Sequence, residues 1–503
     1  MRSLSYPIIL FLLILILGSL GSLFIVSYAK PWQTIFDDYL YDVLSFSLKQ
    51  AFISSFLSLI IGLLMTRSHI HATNSSLKKF VGKALGLPFI LPTMVMIQIL
   101  LHLFGHNGWF KLPFSMYSES GIIFTHIILN VPFVVFLMRQ VWEEIPQEHW
   151  RTAKHLGFSS WQFWKIIEWP MVRSYLLHAF VPVFLLCFTS FTPVLILSPT
   201  PTQVTLEVAI YQSFMFELDF GNIVGLVLLQ LFVGLLILFL FPNLLPFKHE
   251  KTSYMVKSVE IVSRAERFFH DSIIYFTLFV LLMMGLALLE TTLDANMFEV
   301  YFSSEFFMSL IRSTLIACLA GVISTVAAVG LLKCPFIQTM QSYISILPVV
   351  IPTVTLGAGL YIFIGRHFPD LSLLFVILIN ALVGLPFALR LLQGRLHAVH
   401  RKYHQRILEI RLTPEQQWKF VEKPLLYPSL KLSFALVTAI SFGDLGAIIL
   451  FSSHENPTLT ALMYQYIESL DMQGSACIAF ALLVCISALF IFIQNMGGTR
   501  AKN

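Results

Sequence analysis

The sequence predicts an all-α polytopic membrane protein with about twelve transmembrane helices in two parallel six-helix halves. Three observations carry this reading. Of its 503 residues, 57% are hydrophobic and only 12% charged, and the mean hydropathy of +0.80 lies well above that of a water-soluble domain. Apolar runs recur near the ~20 residues a helix needs to cross the hydrocarbon core. A polar segment, EHWRTAKHLGFSSWQFWKIIEWP from Glu148 to Pro170, recurs 254 residues later as KYHQRILEIRLTPEQQWKFVEKP from Lys402 to Pro424.

The first run, 8–28, follows Arg2 and ends near Ser27-Tyr28-Ala29, in the manner of a signal peptide. It is too long for a typical signal-peptide core, and the topology needs it as a span. Runs at 44–66 and 85–106 follow; the latter holds LPFILPT, whose Pro88 and Pro92 break or kink a helix and suit a cavity wall or an ordinary packing kink alike. The fourth run, 121–142, carries Pro132-Phe133, and the polar loop at about 145–170 leads into runs at 174–197 and 221–244, which close a first half spanning 1–245. A basic linker, 246–271, holds Lys248, Lys251, Lys257, Arg264 and Arg267. The second half, 272–503, repeats the plan with runs at 272–290, 308–332, 343–365, 371–393, 429–452 and 474–494. LPVVIPT (Leu347 to Thr353, with Pro348 and Pro352) echoes LPFILPT, and Pro386-Phe387 echoes Pro132-Phe133 at the same offset of 254. An even number of spans per half makes this a parallel repeat, with its second polar loop at about 399–424.

Lys and Arg resist translocation, so their distribution sets orientation. With both termini in the cytoplasm, 27 of the 32 Lys and Arg fall on the cytoplasmic side, three outside (Lys30, Lys111, Arg366), and Lys49 and Arg312 in or beside apolar runs. Asp37, Asp38, Asp42, Glu207, Glu217, Asp219, Asp294, Glu299 and Glu305 all fall outside. Both repeated polar loops then face the cytoplasm, and the net charge of +5 reflects topology, not nucleic-acid binding. The cysteines (Cys187, Cys318, Cys334, Cys477, Cys485) lack metal spacing and read as small core residues.

Each polar loop carries a helix start. Ser159 with Gln162, and Thr413 with Gln416, have capping-box spacing; Pro414 suits the first helical position and Phe158 a staple onto Phe163. Each loop therefore reads as two short helices joined by a sharp turn. Gln162/Gln416, Trp164/Trp418, Lys165/Lys419, Glu168/Glu422 and Pro170/Pro424 stand in register. The alternative, a pair of merely interfacial amphipathic helices, does not account for two capped copies at one offset.

Catalytic signatures are missing from the sequence. There is no G-x-x-x-x-G-K-[ST] phosphate loop, no Gly-x-Ser-x-Gly elbow and no His-Glu-x-x-His pair. No enzymatic role, resident cofactor or metal is expected. His397, His400 and His404 share a helical face, but among Arg395, Arg401, Lys402 and Arg406 they read as a solvated basic face; His102 and His106 form a further i, i+4 pair. Asp444, in SFGDLGAI of the fifth span of the second half, is the clearest intramembrane charge; Ser190 stands at its place in the first half. It either attracts a cationic substrate, or caps a helix broken between Gly443 and Gly446, or pairs with a basic side chain.

RTAKHLGFSSWQFWKIIEWP, with Ala153, Gly157 four residues on and a proline thirteen further, resembles the cytoplasmic EAA loop of ATP-binding-cassette importer permeases. In that family the loop is the coupling helix that docks into a groove on the ATPase subunit. Two such loops imply a fused pair of permease halves. Arg151 stands where the family usually has Glu, and Ile407 and Arg411 replace the expected Ala and Gly. A non-Gly residue forced to positive φ loses on the order of 1 kcal/mol, so the second turn is expected to be less sharp or shifted in register. Among fused permeases, SFGDLGAIILF (Ser441 to Phe451), TALMYQYIESLDMQGSACIAFALLV (Thr460 to Val484) and the wording of the first loop are similar to the thiamine importer permeases of Gram-negative bacteria.

The resemblance implies an inner-membrane permease working by alternating access, with two copies of a cytoplasmic ATPase that carries ATP and Mg, and with a periplasmic binding protein. Docking to the ATPase falls to Arg151, Ala153, Gly157, Trp161, Ile407, Arg411 and Glu415. The pathway involves Pro92, Thr93, Ser190, Phe191, Pro352, Thr353, Phe442 and Asp444. A ferric-iron permease of the same layout, or a secondary carrier driven by an ion gradient, is the alternative; the carrier would gain nothing from capped docking helices.

Overall fold

The computed structural model describes residues 2–27, 38–73, 75–84, 91–199, 203–217, 220–241, 263–294, 297–333, 353–365, 367–368, 371–451 and 457–495, and all regular structure among them is helical. The first half comprises α1 (Arg2–Ser27), α2 (Asp38–His71), α3 (Ser75–Ala84), α4 (Thr93–Phe104), α5 (Glu119–Glu143), α6 (Gln147–His155), α7 (Ser160–Arg173), α8 (Leu176–Phe188), α9 (Thr192–Leu197), α10 (Leu206–Gln212) and α11 (Phe220–Leu240). The second comprises α12 (Arg264–Asp294), α13 (Met297–Tyr301), α14 (Ser304–Leu332), α15 (Thr353–Gly365), α16 (Ser372–Glu409), α17 (Pro414–Gly443), α18 (Gly446–Phe451), α19 (Leu459–Glu468) and α20 (Met472–Asn495). Of the segment 246–271, Arg264 to Asp271 is already the first turns of α12.

Among the described residues, seven helices (α2, α5, α12, α14, α16, α17 and α20) are long and apolar enough to cross a membrane, and α7 with α8, bent by 53°, makes an eighth. Shorter apolar helices at Leu10–Leu23, Thr93–Phe104, Gly221–Ile237 and Thr353–Gly365 stand where the first, third, sixth and ninth apolar runs lie.

The halves are interlocked, because the first helix of each packs on the other. α1 lies against α14 and α15, while α12 lies against α2, α3, α4 and α20. In lipid such contacts rest on close packing and hydrogen bonds instead of on the hydrophobic effect. Ser19 Oγ donates to Leu356 O at 3.1 Å and Ser22 Oγ to Gly359 O at 2.8 Å, and a Cβ at Gly359 would stand 2.2 Å from Ser19 Oγ. The largest buried cluster draws on both halves, from Met94, Ile97 and Phe188 to Val354, Phe442 and Leu482.

Three features depart from the sequence reading. Pro92 precedes the first residue of α4 and starts a helix instead of kinking one, since its fixed φ suits that place. Glu207, read above as an outer-side charge, is not held in water but fully buried: α10 packs into the bundle, where Glu207 Oε1 accepts from Val354 N at 2.9 Å and Oε2 from Gln230 Nε2 at 2.9 Å. In the second half the two short helices are not separate elements. Pro146 stops α5 from running into α6, but at the matching place His400 lets α16 continue unbroken to Glu409.

Candidate functional site

The two polar loops form the same turn. Two residues past its last helical residue, α6 is followed by a left-handed residue, Gly157 at φ 65°, and α16 likewise by Arg411 at φ 54°. Phe158 N bonds to Ala153 O at 2.9 Å and Leu412 N to Ile407 O at 3.4 Å, the six-residue closure of a Schellman turn. The expectation of a blunter second turn is therefore corrected: Arg411 adopts the strained conformation, and the flanking helices hold it there. Both capping boxes are complete, Ser159 with Gln162 and Thr413 with Gln416.

After each turn the chain passes through a π-helical turn, Trp164–Glu168 and Trp418–Glu422, and each ends on a buried carboxylate. Glu168 accepts from Arg67 Nε at 2.9 Å, His71 Nε2 at 2.8 Å and Trp142 Nε1 at 2.9 Å, and Arg67 lies 5.1 Å above the Trp164 ring. Glu422 pairs with Lys333 Nζ at 3.3 Å, His400 Nε2 at 2.9 Å and Gln417 Nε2 at 2.7 Å, and Lys333 lies 3.7 Å from the Trp418 ring centroid. Each copy thus joins a cation, a carboxylate and an indole. Trp164/Trp418 and Glu168/Glu422 stand in register in the sequence, but register alone assigns them no task. Arg67 and Lys333 went unpaired because their offset is 266 instead of 254. His400, read above as part of a solvated face, is committed to Glu422.

Of the docking candidates, Arg151, Gly157, Trp161, Arg411 and Glu415 are exposed. Ala153 and Ile407 are instead buried in the chain itself, 0% and 8% exposed, and fasten each helix to the bundle. Leu156, Ile410 and Phe420, not singled out from the sequence, are 65%, 68% and 63% exposed and extend the outer face.

The pathway candidates fall into two groups. A Cβ at Gly443 would stand 2.9 Å from Pro92 Cβ and one at Gly446 would stand 2.3 Å from Thr353 Oγ1, so the third spans of both halves close around the break in the fifth span of the second half. Asp444 caps that break: its Oδ2 accepts from Ala447 N at 3.1 Å. Phe442 is buried beside it. Ser190 marks the matching break in the first half, bonded to His126 Nε2 at 2.8 Å, with Phe191 edge-on to Tyr211 at 5.5 Å. Thr93 opens α4, and Pro352 lies outside the described residues.

Comparison with known proteins accords with this architecture. Residues 58–247 match the family model of the binding-protein-dependent transport system inner membrane component. The chain is 32% identical to the thiamine transport system permease protein ThiP of Haemophilus influenzae, over 97% of this chain and 95% of that one. The chain belongs to the binding-protein-dependent transport permeases. It is 28% identical to the Escherichia coli ThiP over 94% of this chain and 91% of that one. It is also 31% identical to a probable sulfate transport system permease protein cysT of Prototheca wickerhamii, over 39% of this chain but 79% of that one. The permease is thus a multi-pass inner-membrane protein of a transport system that depends on a binding protein.

Proposed function

We propose that this chain is the membrane-spanning subunit of an ATP-driven importer that carries thiamine, and its phosphate esters, from periplasm to cytoplasm. The observation that carries the transport reading is the pair of left-handed, capped turns at Gly157 and Arg411, each presenting an exposed face beyond a buried anchor. A rigid protruding element in duplicate suits docking to two copies of one cytoplasmic ATPase, whose ATP and Mg drive the cycle while this chain binds neither. The substrate follows from the relatives, which are named for thiamine over almost their whole length.

In this reading twelve spans form two halves, 1–245 and 272–503, joined by the linker 246–271, with both termini in the cytoplasm. Arg151, Gly157 and Trp161 meet one ATPase copy and Arg411 and Glu415 the other, while Ala153 and Ile407 set the height of each helix. A loaded binding protein docks outside, the ATPase dimer closes inside, and the spans alternate access around the breaks at Ser190 and Asp444.

The test is uptake of labelled thiamine in cells lacking this chain, against cells that carry it with its ATPase and binding protein. Uptake lost and restored, with dependence on ATP, supports the proposal. Unchanged thiamine uptake with a ferric-iron defect moves the substrate, and dependence on an ion gradient instead of ATP overturns the importer.

A further inference from the structure

The carboxylate joints are one end of a longer repeated arrangement. Twenty residues before Arg67, Ser47 Oγ accepts from Leu206 N at 3.0 Å, the first residue of α10. Twenty residues before Lys333, Ser313 Oγ accepts from Leu459 N at 2.8 Å, the first residue of α19. Ser47 and Ser313 are separated by the same 266 residues as Arg67 and Lys333. Each second span, α2 or α14, therefore grips a coupling turn at one end and the start of a short infolded helix at the other. Along an unbroken helix these grips lie about 30 Å apart. All four serine and carboxylate anchors are buried, so water does not compete for the bonds.

We propose that α2 and α14 are levers that carry movement of the coupling turns to α10 and α19 on the far side of the bundle, with Arg67, Glu168 and Ser47 in one half, and Lys333, Glu422 and Ser313 in the other, as positioning residues. Three physical features support this. A cation held by both a carboxylate and an indole face is fixed in distance and in angle, so displacement of the turn is not absorbed by side-chain rotation. The π turn ends on the gripping carboxylate, as Trp169 N reaches back to Trp164 O and Lys423 N to Trp418 O, which aims each glutamate inward at one register only. The other two donors differ between copies (His71 and Trp142 against His400 and Gln417), as do the cations, yet the joint is the same. What recurs is the mechanical connection.

The inference rests on the proposed docking of an ATPase at the coupling turns. Its test uses the full importer, with ATPase and binding protein, in proteoliposomes, reading labelled thiamine moved and phosphate released together. Glu168→Gln and Ser47→Ala are expected to lower thiamine moved per ATP by about tenfold, with the amount of assembled complex and its ATP hydrolysis held. Arg67→Lys, which places in the first joint the cation the second already uses, is expected to keep the ratio. A merely structural role would lower assembly, hydrolysis and uptake in parallel. Spin labels at Leu64→Cys on α2 and Ile166→Cys on the π turn, both exposed positions, give an independent readout. Their separation is expected to stay constant through the ATP cycle and to change with it only in Glu168→Gln. An unaltered transport ratio in both uncoupling variants, or a separation that already changes in the otherwise unaltered chain, overturns the lever. Failure of the unaltered chain to recover any ATPase overturns the docking reading, and the lever with it.

Discussion

Two side chains show how one position is read differently once its backbone is known. Gly157 has no heavy atom within 4 Å of where a Cβ would stand, so its only intramolecular requirement is its positive φ. Gly157→Ala is expected to cost about 1 kcal/mol in thermal stability, and Arg411→Gly to recover about the same. Melting of the purified permease in detergent checks both, and equal stability in either case would mean that the turn relaxes. Trp161→Glu should insert normally yet lose ATPase-coupled uptake, because the side chain projects from the proposed docking face and not into the fold. Asp444 offers the second case. Asparagine can accept the same bond from Ala447 N, so Asp444→Asn is expected to retain stability, whereas Asp444→Ala should lose about 1 kcal/mol with the cap. If Asp444→Asn also retains thiamine uptake, the residue serves only the cap; abolished uptake with assembly intact would assign the carboxylate to the pathway.

At the scale of elements, the helices and capped turns were legible in the sequence because span length and capping spacing are local. The direction each helix faces was not. Ala153 and Ile407 lie in register with each other and close to the turns, but only the packing of α6 and α16 shows that they point inward. The burial of Glu207 is hidden for a related reason: an acidic side chain in a loop reads as water-exposed unless its partners are known, and α10 brings Glu207 to Val354 N. The contact of α1 with α15 has no local signal at all, since it joins residues more than 300 positions apart. It depends on Gly359, where a Cβ would stand 2.2 Å from Ser19 Oγ. Gly359→Leu is expected to push α1 off α15 and cost about 1–3 kcal/mol by overpacking. Faster proteolysis within residues 2–27 in the variant would be the sign of a displaced α1, and unchanged protection would show that the helices can slide apart without separating.

The whole molecule combines a repeat that is nearly symmetric in its joints with chemistry that is not. Both halves carry the cation, carboxylate and indole, but the first-half joint is also braced by the start of α12. Ser68 Oγ meets His270 Nδ1 at 3.0 Å, His71 stacks on His270 at 5.4 Å, and Asp271 accepts from Thr73 N and Oγ1 at 2.9 and 2.6 Å. With α1 and α12 exchanged across the interface, each half lends its first helix to the other, and the Glu207 and Gln98 bonds add ties between halves. The halves are then expected to hold together without a continuous chain through 246–262, because the interface supplies packing area and satisfied polar groups that neither half has alone. A chain cut within 246–262 and expressed as two fragments is expected to reassemble: the fragments should co-purify and restore thiamine uptake to within about threefold of the intact chain, the loss reflecting only the lower effective concentration of the partners. Either fragment expressed alone should be degraded. A second fragment that accumulates stably without the first would mean that α12 does not need α2 and α4, and would place the main stabilising contacts inside the halves and not between them.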